Sequence, residues 1–430
     1  MEPSALLDRI ARSLQPVGLE SVEVYLKSGR SRRAALGSQG QLSSLHRETG
    51  WAVRASGAQS SFFCCGSGAP APDGPWPNPA GPPLRLPGPR PVLDWRAPQH
   101  LRAPLCVEHE ALEILEACGR ELARELPSAR LLQATLEDGE SASLVVNSRG
   151  VEASWCQRNA TLYLEAALGS HQVIEYSGEK SASAFHPTAL ARRIADRLLI
   201  RRDGSIAGRG RGTVLLAPPV AVRVLGGLLP LLMDAVGRRR GLGVDDSSIG
   251  SRCLTIVDDG RLPGGLFSAP VDGEGVPTRR KVLVDRGVIV SRLTSGSEGA
   301  ATARELAGCV RRASFRDVPR VGPSHLFIEP DSERAAGVLL EEMVEGHYFL
   351  DPVDAGRFDL TNDRFEMTVA GFSVRSGTPT AAVSRARLSG TISQLLGGLD
   401  AVARDLTFFP LGGLLGSPSL RIVGLDVTAS

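Results

Sequence analysis

The chain has 430 residues, 42% hydrophobic and 22% charged, the balance of a globular protein with room for two or three ordinary domains. Its 49 Lys and Arg stand against 47 Asp and Glu, a formal charge of +2, which leaves no electrostatic case for nucleic acid or an acidic membrane as partner. Seven Cys at 64, 65, 106, 118, 156, 253 and 309 show neither a Cys-x-x-Cys pair nor zinc-ribbon spacing, and read as reduced thiols in a cytosol.

Residues 3–14 carry the pattern of an amphipathic helix, without the apolar stretch of a secretory signal. Short alternating runs follow at 22–26, 32–36, 42–46, 51–55 and 61–65. In the first, Val22, Val24 and Leu26 alternate with Glu23, Tyr25 and Lys27, the period of a half-buried strand. Strands at this spacing predict an antiparallel meander packed on a helix. Residues 66–99 are crowded with Pro, which fixes φ and removes donors, so no regular element runs through them. They read as a long surface loop or a disordered insertion. The alternative is a Pro-rich recognition segment anchored by Trp76 and Trp95. A helix is predicted over 107–126, with Leu112, Leu115, Leu122 and Leu126 on one face. Strands at 131–136, 143–147, 151–157 and 161–168 precede a helix that starts near Pro187 and ends near Arg202. The segment 201–212, RRDGSIAGRGRG, has the content of a linker. It divides an N-terminal α/β domain, 1–205, with the Pro-rich insertion at about 66–99, from a C-terminal mainly-β domain, 206–430.

The second half opens with a strand at 213–216 and an apolar helix. Its longest apolar run, 220–236, is interrupted by Arg223, Pro230 and Asp234 and falls short of a spanning helix. Strands are predicted at 252–257, 281–285, 288–293, 326–328, 356–361, 364–370, 372–375 and 382–388, with a last one at 419–428. Ser295-x-x-Glu298 forms a capping box before a helix at 300–309. Ser332 caps a helix at 333–345 that Gly346 stops, and a final helix covers 391–404. The fold class is α+β: an N-terminal domain of antiparallel strands and helices, and a C-terminal domain dominated by twisted antiparallel sheet with flanking helices.

Chemistry-bearing motifs are sparse. No two of the seven His lie three to five residues apart. After His109-Glu110, Ile114 and Leu115 stand where a second zinc-binding His would fall. Gly416-Ser417-Pro418-Ser419 is not a nucleophile elbow, and Gly208-Arg209-Gly210 lacks the third Gly of a dinucleotide fingerprint. The best polar cluster is Asp272-Gly273-Glu274-Gly275. It reads as an acid/base pair, as a turn whose carboxylates bind backbone amides or an Arg among 279, 280, 311 and 312, or as the frame of a peptide cleft. Asp272, Glu274, Gly275, Arg311 and Arg312 are the candidate substrate-binding residues. No catalytic residue and no metal ligand is assigned.

Several segments, in order, carry a resemblance: GLESVEVYLKSGRSRRAALGSQGQL at 18–42, LTIVDD at 254–259, APVDGEGVPT at 269–278, LVDRGVIVSRL at 283–293 and GCVRR at 308–312. Residues 346–348, 359–370 and 420–427 continue it. With these segments the chain resembles the TldD/PmbA family of metallopeptidases. In the family's active subunits the helix after strand 213–216 bears an HExxxH zinc signature, and a C-terminal Cys-Gly-Lys segment gives a third ligand. Here residues 212–240, GTVLLAPPVAVRVLGGLLPLLMDAVGRRR, hold neither His nor Glu, and no Cys follows Cys309. The region 408–427 reads FFPLGGLLGSPSLRIVGLDV. The resemblance therefore implies a PmbA (TldE)-like subunit with no cofactor of its own, in a cytoplasmic protein. Zinc is expected in a TldD-like partner, joined as a heterodimer, with a homodimer as the alternative. An unfolded or modified peptide is the implied substrate. Two other readings stand beside this one: a stand-alone peptide-binding or scaffold protein, and a hydrolase working through Asp272 and Glu274.

Overall fold

The computed structural model describes residues 2–38, 40–70, 74, 76–92, 104–206, 210–233, 248–295, 305–411 and 413–429, without the side chains of 305 and 306. Helix α1 (Pro3–Leu14) buries Leu6, Ile10 and Leu14, as its apolar spacing predicts. Strands β1 (Ser21–Gly37) and β2 (Gly40–Ser56) form a long hairpin, in register from Ser21 opposite Ser56 to Gly37 opposite Gly40. Strand β3 is Ser61–Ser67. Two predicted pairs of short strands thus merge into β1 and β2. The small and polar residues between each pair interrupt the hydrophobic alternation, but their backbone ladder continues unbroken. Helix α2 (Glu108–Glu125), strands β4 (Arg130–Asn147), β5 (Glu152–Leu168) and β6 (His171–Glu179), and helix α3 (Pro187–Asp203) complete this half. Strand β6 escapes the sequence reading because it is an edge strand whose Ile174 and Tyr176 stay exposed, so no clean apolar period marks it.

The six strands run β3-β2-β1-β4-β5-β6, antiparallel throughout. Strand alternation sends Val22 and Val24 into a core shared with α1, and Ala34, Leu136, Leu162 and Leu164 into one shared with α2 and α3. The opposite face carries Glu23, Tyr25, Lys27, Ser31 and Arg33, and it turns toward the second half of the chain. Glu23 and Tyr25 are as buried as their apolar neighbours, so this strand is buried on both faces where it reads as half-buried.

The described part of the Pro-rich segment is a strap fastened to this sheet, not a loose loop. Trp76 stacks on Phe62, meets Trp51 edge-on, and donates its indole N–H to Ser13 Oγ at 2.8 Å. Leu86 is buried, and Asn147 and Arg149 donate to the carbonyls of Pro87 and Leu86. Trp95 lies outside the described residues.

In the second half, β7 (Ser205–Ile206) and β8 (Gly210–Leu216) take up much of the expected linker, and α3 the rest up to Asp203. Helix α4 (Pro218–Leu232) follows. Then come β9 (Ile256–Asp259), β10 (Arg280–Asp285), β11 (Val288–Ile289), β12 (Arg292–Leu293), β13 (Glu305–Leu306), β14 (Val310–Arg311), β15 (Arg320–Val321) and β16 (His325–Ile328). After α5 (Ala336–Glu341) come β17 (Glu345–Pro352), β18 (Arg357–Asp359), β19 (Arg364–Arg375) and β20 (Thr378–Gly390). Helix α6 (Ile392–Gly397), β21 (Leu399–Val402), β22 (Thr407–Pro410), β23 (Leu414–Ser417) and β24 (Leu420–Thr428) end the described chain.

One sheet runs β11-β10-β9-β16-β23-β22. A larger one runs β18-β19-β17-β8-β24-β20-β7, and pairing of β19 with β20 closes five of its strands into a small barrel. Val214, Phe349, Val369, Ala386, Leu388 and Val427 belong to the core that α4 shares. The architecture is α+β and strand-rich, as the sequence implies. Among the described residues no helix is long and apolar enough to cross a membrane.

Three predicted helices are revised. Of the one at 300–309, residues 300–304 and its capping Glu298 lie outside the described residues, and β13 occupies 305–306. The one at 333–345 shortens to α5. Asp331, not Ser332, binds the N–H groups of Glu333 and Arg334, and β17 has already begun at Glu345. Gly346 is no helix stop: a Cβ there would sit 2.2 Å from the Thr213 carbonyl oxygen, so it permits β17 to lie against β8. In the last helix, Thr391 caps α6 with its side chain, and β21 takes the remainder by pairing with β24.

The halves are tied at Asp351, which is fully buried on β17. It accepts Arg197 Nε at 2.7 Å and Arg201 Nε at 2.5 Å, both from α3. Removing the acid leaves Arg201 without a carboxylate among the described residues and Arg197 with Glu175 alone, a loss on the order of 3 kcal/mol, the low end for breaking a buried pair. Asp351→Ala is expected to lower the urea midpoint of unfolding accordingly. A change below about 1 kcal/mol, the scale of an exposed pair, would show that the clamp contributes little.

Candidate functional site

The Asp272–Gly275 segment is a tight loop, and its first acid builds it. Asp272 Oδ1 accepts the N–H groups of Glu274 at 2.9 Å and Val276 at 3.0 Å, the local side-chain-to-backbone bonding that favours Asp in turns. Its Oδ2 accepts Val310 N–H at 3.0 Å and so clips the loop to β14. Glu274 points the other way. Its Oε1 accepts Arg54 Nη2 at 2.9 Å and its Oε2 accepts Ser295 Oγ at 2.9 Å. Both acids are 1% exposed.

Arg54 in turn grips Glu23 with two parallel bonds of 2.9 and 2.7 Å, the bidentate geometry of strong Arg–carboxylate pairs. The two residues face each other across the β1–β2 ladder. Arg312 completes the network. It donates to Glu23 Oε1 and, at 2.8 Å, to the Gly273 carbonyl, and its guanidinium lies 4.5 Å over the Tyr25 ring. Glu23, Arg54 and Tyr25 come from the first half of the chain, and Glu274, Gly273 and Arg312 from the second. Gly275, with φ +76°, allows a close approach: a Cβ there would stand 2.5 Å from Val151 Cγ1 and 2.9 Å from Val145 Cγ1. Beside it, the Phe315 ring occupies the space that a Cβ on Gly50 would need.

The charges respond as their surroundings dictate. Burial alone raises the Glu23 carboxyl, but Arg312 and Arg54 outweigh it and hold the group below the usual carboxylate range. Arg54, despite burial, is raised by its two carboxylates. Burial and the neighbouring Glu274 charge push Asp272 up to about 6, against the pull of its three backbone donors.

Above this network opens a cleft of about 1270 Å³ between the polar face of the first sheet and the loops around β14 and β15. Asp272, Arg311 and Arg312 line it, while Glu274 and Gly275 lie beneath it in the interface. Arg311 donates Nε to Pro323 carbonyl at 3.2 Å. Of the sequence-chosen residues the structure therefore brings all five together, in two layers. Sequence reasoning missed Glu23, Arg54, Tyr25 and Ser295. The available signal was charge on β1 and β2 at positions alternating with buried Val, but the partners lie up to 289 residues away.

A second buried network supports the loop from behind. Lys281 Nζ donates to Asp258 Oδ2 at 3.1 Å and to the Gly308 carbonyl at 3.0 Å, and Ser324 N–H binds Asp258 Oδ1 at 2.6 Å. Nearby, His325 Nε2 accepts Phe267 N–H at 3.2 Å, so its Nδ1 donates to the Asp259 carbonyl at 2.8 Å. Burial pushes this ring down to about 4, which keeps it neutral. Among the described residues no three His, Cys, Asp or Glu side chains converge as metal ligands would.

Comparison with known proteins agrees with this architecture. Residues 209–429 match the profile of the PmbA/TldA metallopeptidase C-terminal domain, and residues 108–202 that of the PmbA/TldA metallopeptidase central domain. A metalloprotease of Methanocaldococcus jannaschii is 31% identical over 158 residues, 36% of this chain and 34% of that protein. Metalloprotease PmbA of Escherichia coli O157:H7 is 24% identical over 241 residues, 54% of this chain and 50% of that one. The matched stretches thus span between a third and a half of these two relatives. The crystal structure of TldE from Thermococcus kodakarensis superposes with a TM-score of 0.84 at 16% identity, covering 99% of this chain and 100% of that one, a likeness of fold.

Two outcomes follow from the interface geometry. Gly275→Ala combines a strained positive φ with overpacking, a loss of about 2–4 kcal/mol by urea unfolding, and Val151→Ala in the same chain is expected to restore part of it. Additive losses would mean that the loop does not meet Val151 at this point. For Asp272 the folded group titrates above its unfolded value of 3.8, so the folded state binds the extra proton between the two. The stability of the wild type relative to Asp272→Asn should fall as pH rises from about 4 to 6 and then level off. A difference that grows over that window would reverse the assignment.

Proposed function

From the premise that this chain belongs to the PmbA/TldD metallopeptidase family, we propose that it is a non-catalytic subunit of a two-subunit zinc peptidase and contributes its cleft to the peptide-binding chamber. The observation that carries this reading is helix α4. It sits directly after β8, where the resemblance places the family's zinc helix, and it buries Val220, Val224, Leu225, Leu228 and Leu232 in the core. Neither His nor Glu occurs between 212 and 240, and no Cys follows Cys309. Val and Leu neither ligate Zn²⁺ nor act as a base, so these residues do not fit a catalytic zinc. A TldD-like subunit supplies the metal, the activated water and the base. This chain supplies binding and orientation.

The carboxylates of the candidate site support the same division. Glu274 is bound by Arg54 and Ser295, and Asp272 by three backbone N–H groups. A general base needs a lone pair within reach of a substrate proton, and these oxygens are spent on the fold. The cleft, by contrast, presents a polar sheet face and aromatic rings from Trp155, Tyr176 and Phe267. Such a surface suits an extended peptide held without strict sequence demands.

The test is metal content and peptidase activity of the purified chain, alone and mixed with a TldD-like subunit from the same cell. The expected result is no zinc and no cleavage by the chain alone, with cleavage in the mixture. Stoichiometric zinc and cleavage by the chain alone would overturn the proposal. Peptide binding with no gain in cleavage on mixing would replace it with the stand-alone binding protein.

A further inference from the structure

The whole chain is nearly neutral, but the cleft is not. Basic side chains along its lining outnumber acidic ones two to one. Part of that excess is neutralised: Arg30 pairs with Glu140, Arg316 with Glu48 and Arg312 with Glu23. Arg33, Arg47, Arg311 and Arg320 also line the cleft, and none has an ion-pair partner among the described residues.

Two of these stand in an arrangement that costs stability unless something else uses it. Arg311 on β14 and Arg320 on β15 are directly opposite in a two-stranded ladder, and like charges so placed are destabilising. Arg311 is anchored through its Nε on the Pro323 carbonyl, and a guanidinium held at the cleft wall is a preorganised half of a charge-assisted bond. Across the cleft, Arg33 on the cleft-facing side of β1 is exposed.

Resting on the reading that the cleft holds peptide, we propose that it selects peptides by their carboxylates, with Arg311 and Arg320 as the principal anion site and Arg33 as a second contact. A carboxylate placed between Arg311 and Arg320 accepts from both and relieves their mutual repulsion. The lining also explains why the ligand is a peptide and not a nucleic acid. Glu137 shares the cleft and has no ion-pair partner among the described residues. A strand with a phosphate at every nucleotide meets it unavoidably, whereas a peptide spaces its charges freely. The carboxylates come either from Asp and Glu side chains or from the peptide's C-terminus.

Isothermal titration calorimetry on the full chain separates these sources. The probes are four unlabelled peptides of equal length: an Asp/Glu-rich peptide with a free C-terminus, its C-terminal amide, the Asn/Gln version with a free C-terminus, and the Asn/Gln amide. A single-stranded oligodeoxynucleotide is the fifth. The acidic free peptide is expected to bind best and the neutral amide worst. Loss on amidation alone assigns the C-terminus, and loss on Asn/Gln replacement alone assigns the side chains. Arg311→Gln with Arg320→Gln should weaken the acidic peptide about tenfold or more and leave the neutral amide unchanged. Arg130→Gln, exposed and outside the cleft, should change neither. Should the Arg311 and Arg320 pair perturb the fold by circular dichroism, Arg33→Gln gives the same readout from an exposed position. Equal binding of all four peptides would overturn carboxylate selection and leave the peptide cleft standing. Absence of binding by every peptide would overturn both readings. Tighter binding of the oligonucleotide than of the acidic peptide would overturn the choice of ligand.

Discussion

The structure depends on one buried ionic lattice, in which Arg54 is held by Glu23 and Glu274 while Arg312 reaches back to Glu23. Charges in an interior are costly unless each meets an opposite charge and further hydrogen bonds. Here Glu23 and Arg54 pair within the first half, but Glu274 and Arg312 of the second half find their charge partners only across the interface. Ser295, the Gly273 carbonyl and the Tyr25 ring take up further valences, and Arg312 Nη1 is left buried without a hydrogen-bond partner among the described residues. Such a lattice contributes less through net energy than through register, because no shifted docking of the two halves pairs these groups again.

That constraint explains an oddity of the first sheet. Its apolar face is an ordinary core against three helices. Its other face changes character along the strands. Near Glu23, Tyr25 and Arg54 it is buried under the second half of the chain, and toward Ser31 and Arg33 it opens into the cleft. Gly50 and Gly275 mark the contact, since each yields the space that Phe315 or the Val145–Val151 pair fills. Interface and cleft are therefore consecutive stretches of one strand face. The walls of the cleft inherit the rigidity of the lattice beneath, which is what a preorganised binding surface requires.

Much of this was legible in the residues. Helix α1 and the helices that follow Glu108 and Pro187 lie where periodicity and Pro placement put them, because each buries one apolar stripe. The long strands were read as pairs of short ones, since Gly29 and its polar neighbours erase the hydrophobic period that alone signals a strand. Helix lengths around 336 and 392 were overestimated because β17 and β21 capture residues with adequate helix propensity, and sheet pairing outweighs propensity. The loop 272–275 announced itself by composition. Its partners Glu23 and Arg54 did not, because a charge on a strand reads as solvent-facing until a second domain covers it. The irregular course of the strap around Trp76 was legible in its Pro content, while its packing was not, because Pro excludes regular elements but not packing.

The division between acids and bases at the site bears on what the protein does. The two buried acids of the loop are consumed by structure: Asp272 shapes the loop and Glu274 anchors it to Arg54. Several guanidinium groups above them are not consumed. On the proposed reading, a subunit relieved of chemistry needs no acid with a free lone pair, and its apolar α4 serves as core. It still has to hold a peptide for its partner, and cations on a rigid wall do so at a fixed position. A recognition surface is built from charges the fold leaves over. In this cleft those are arginines at its rim, with the carboxylates below them already bound.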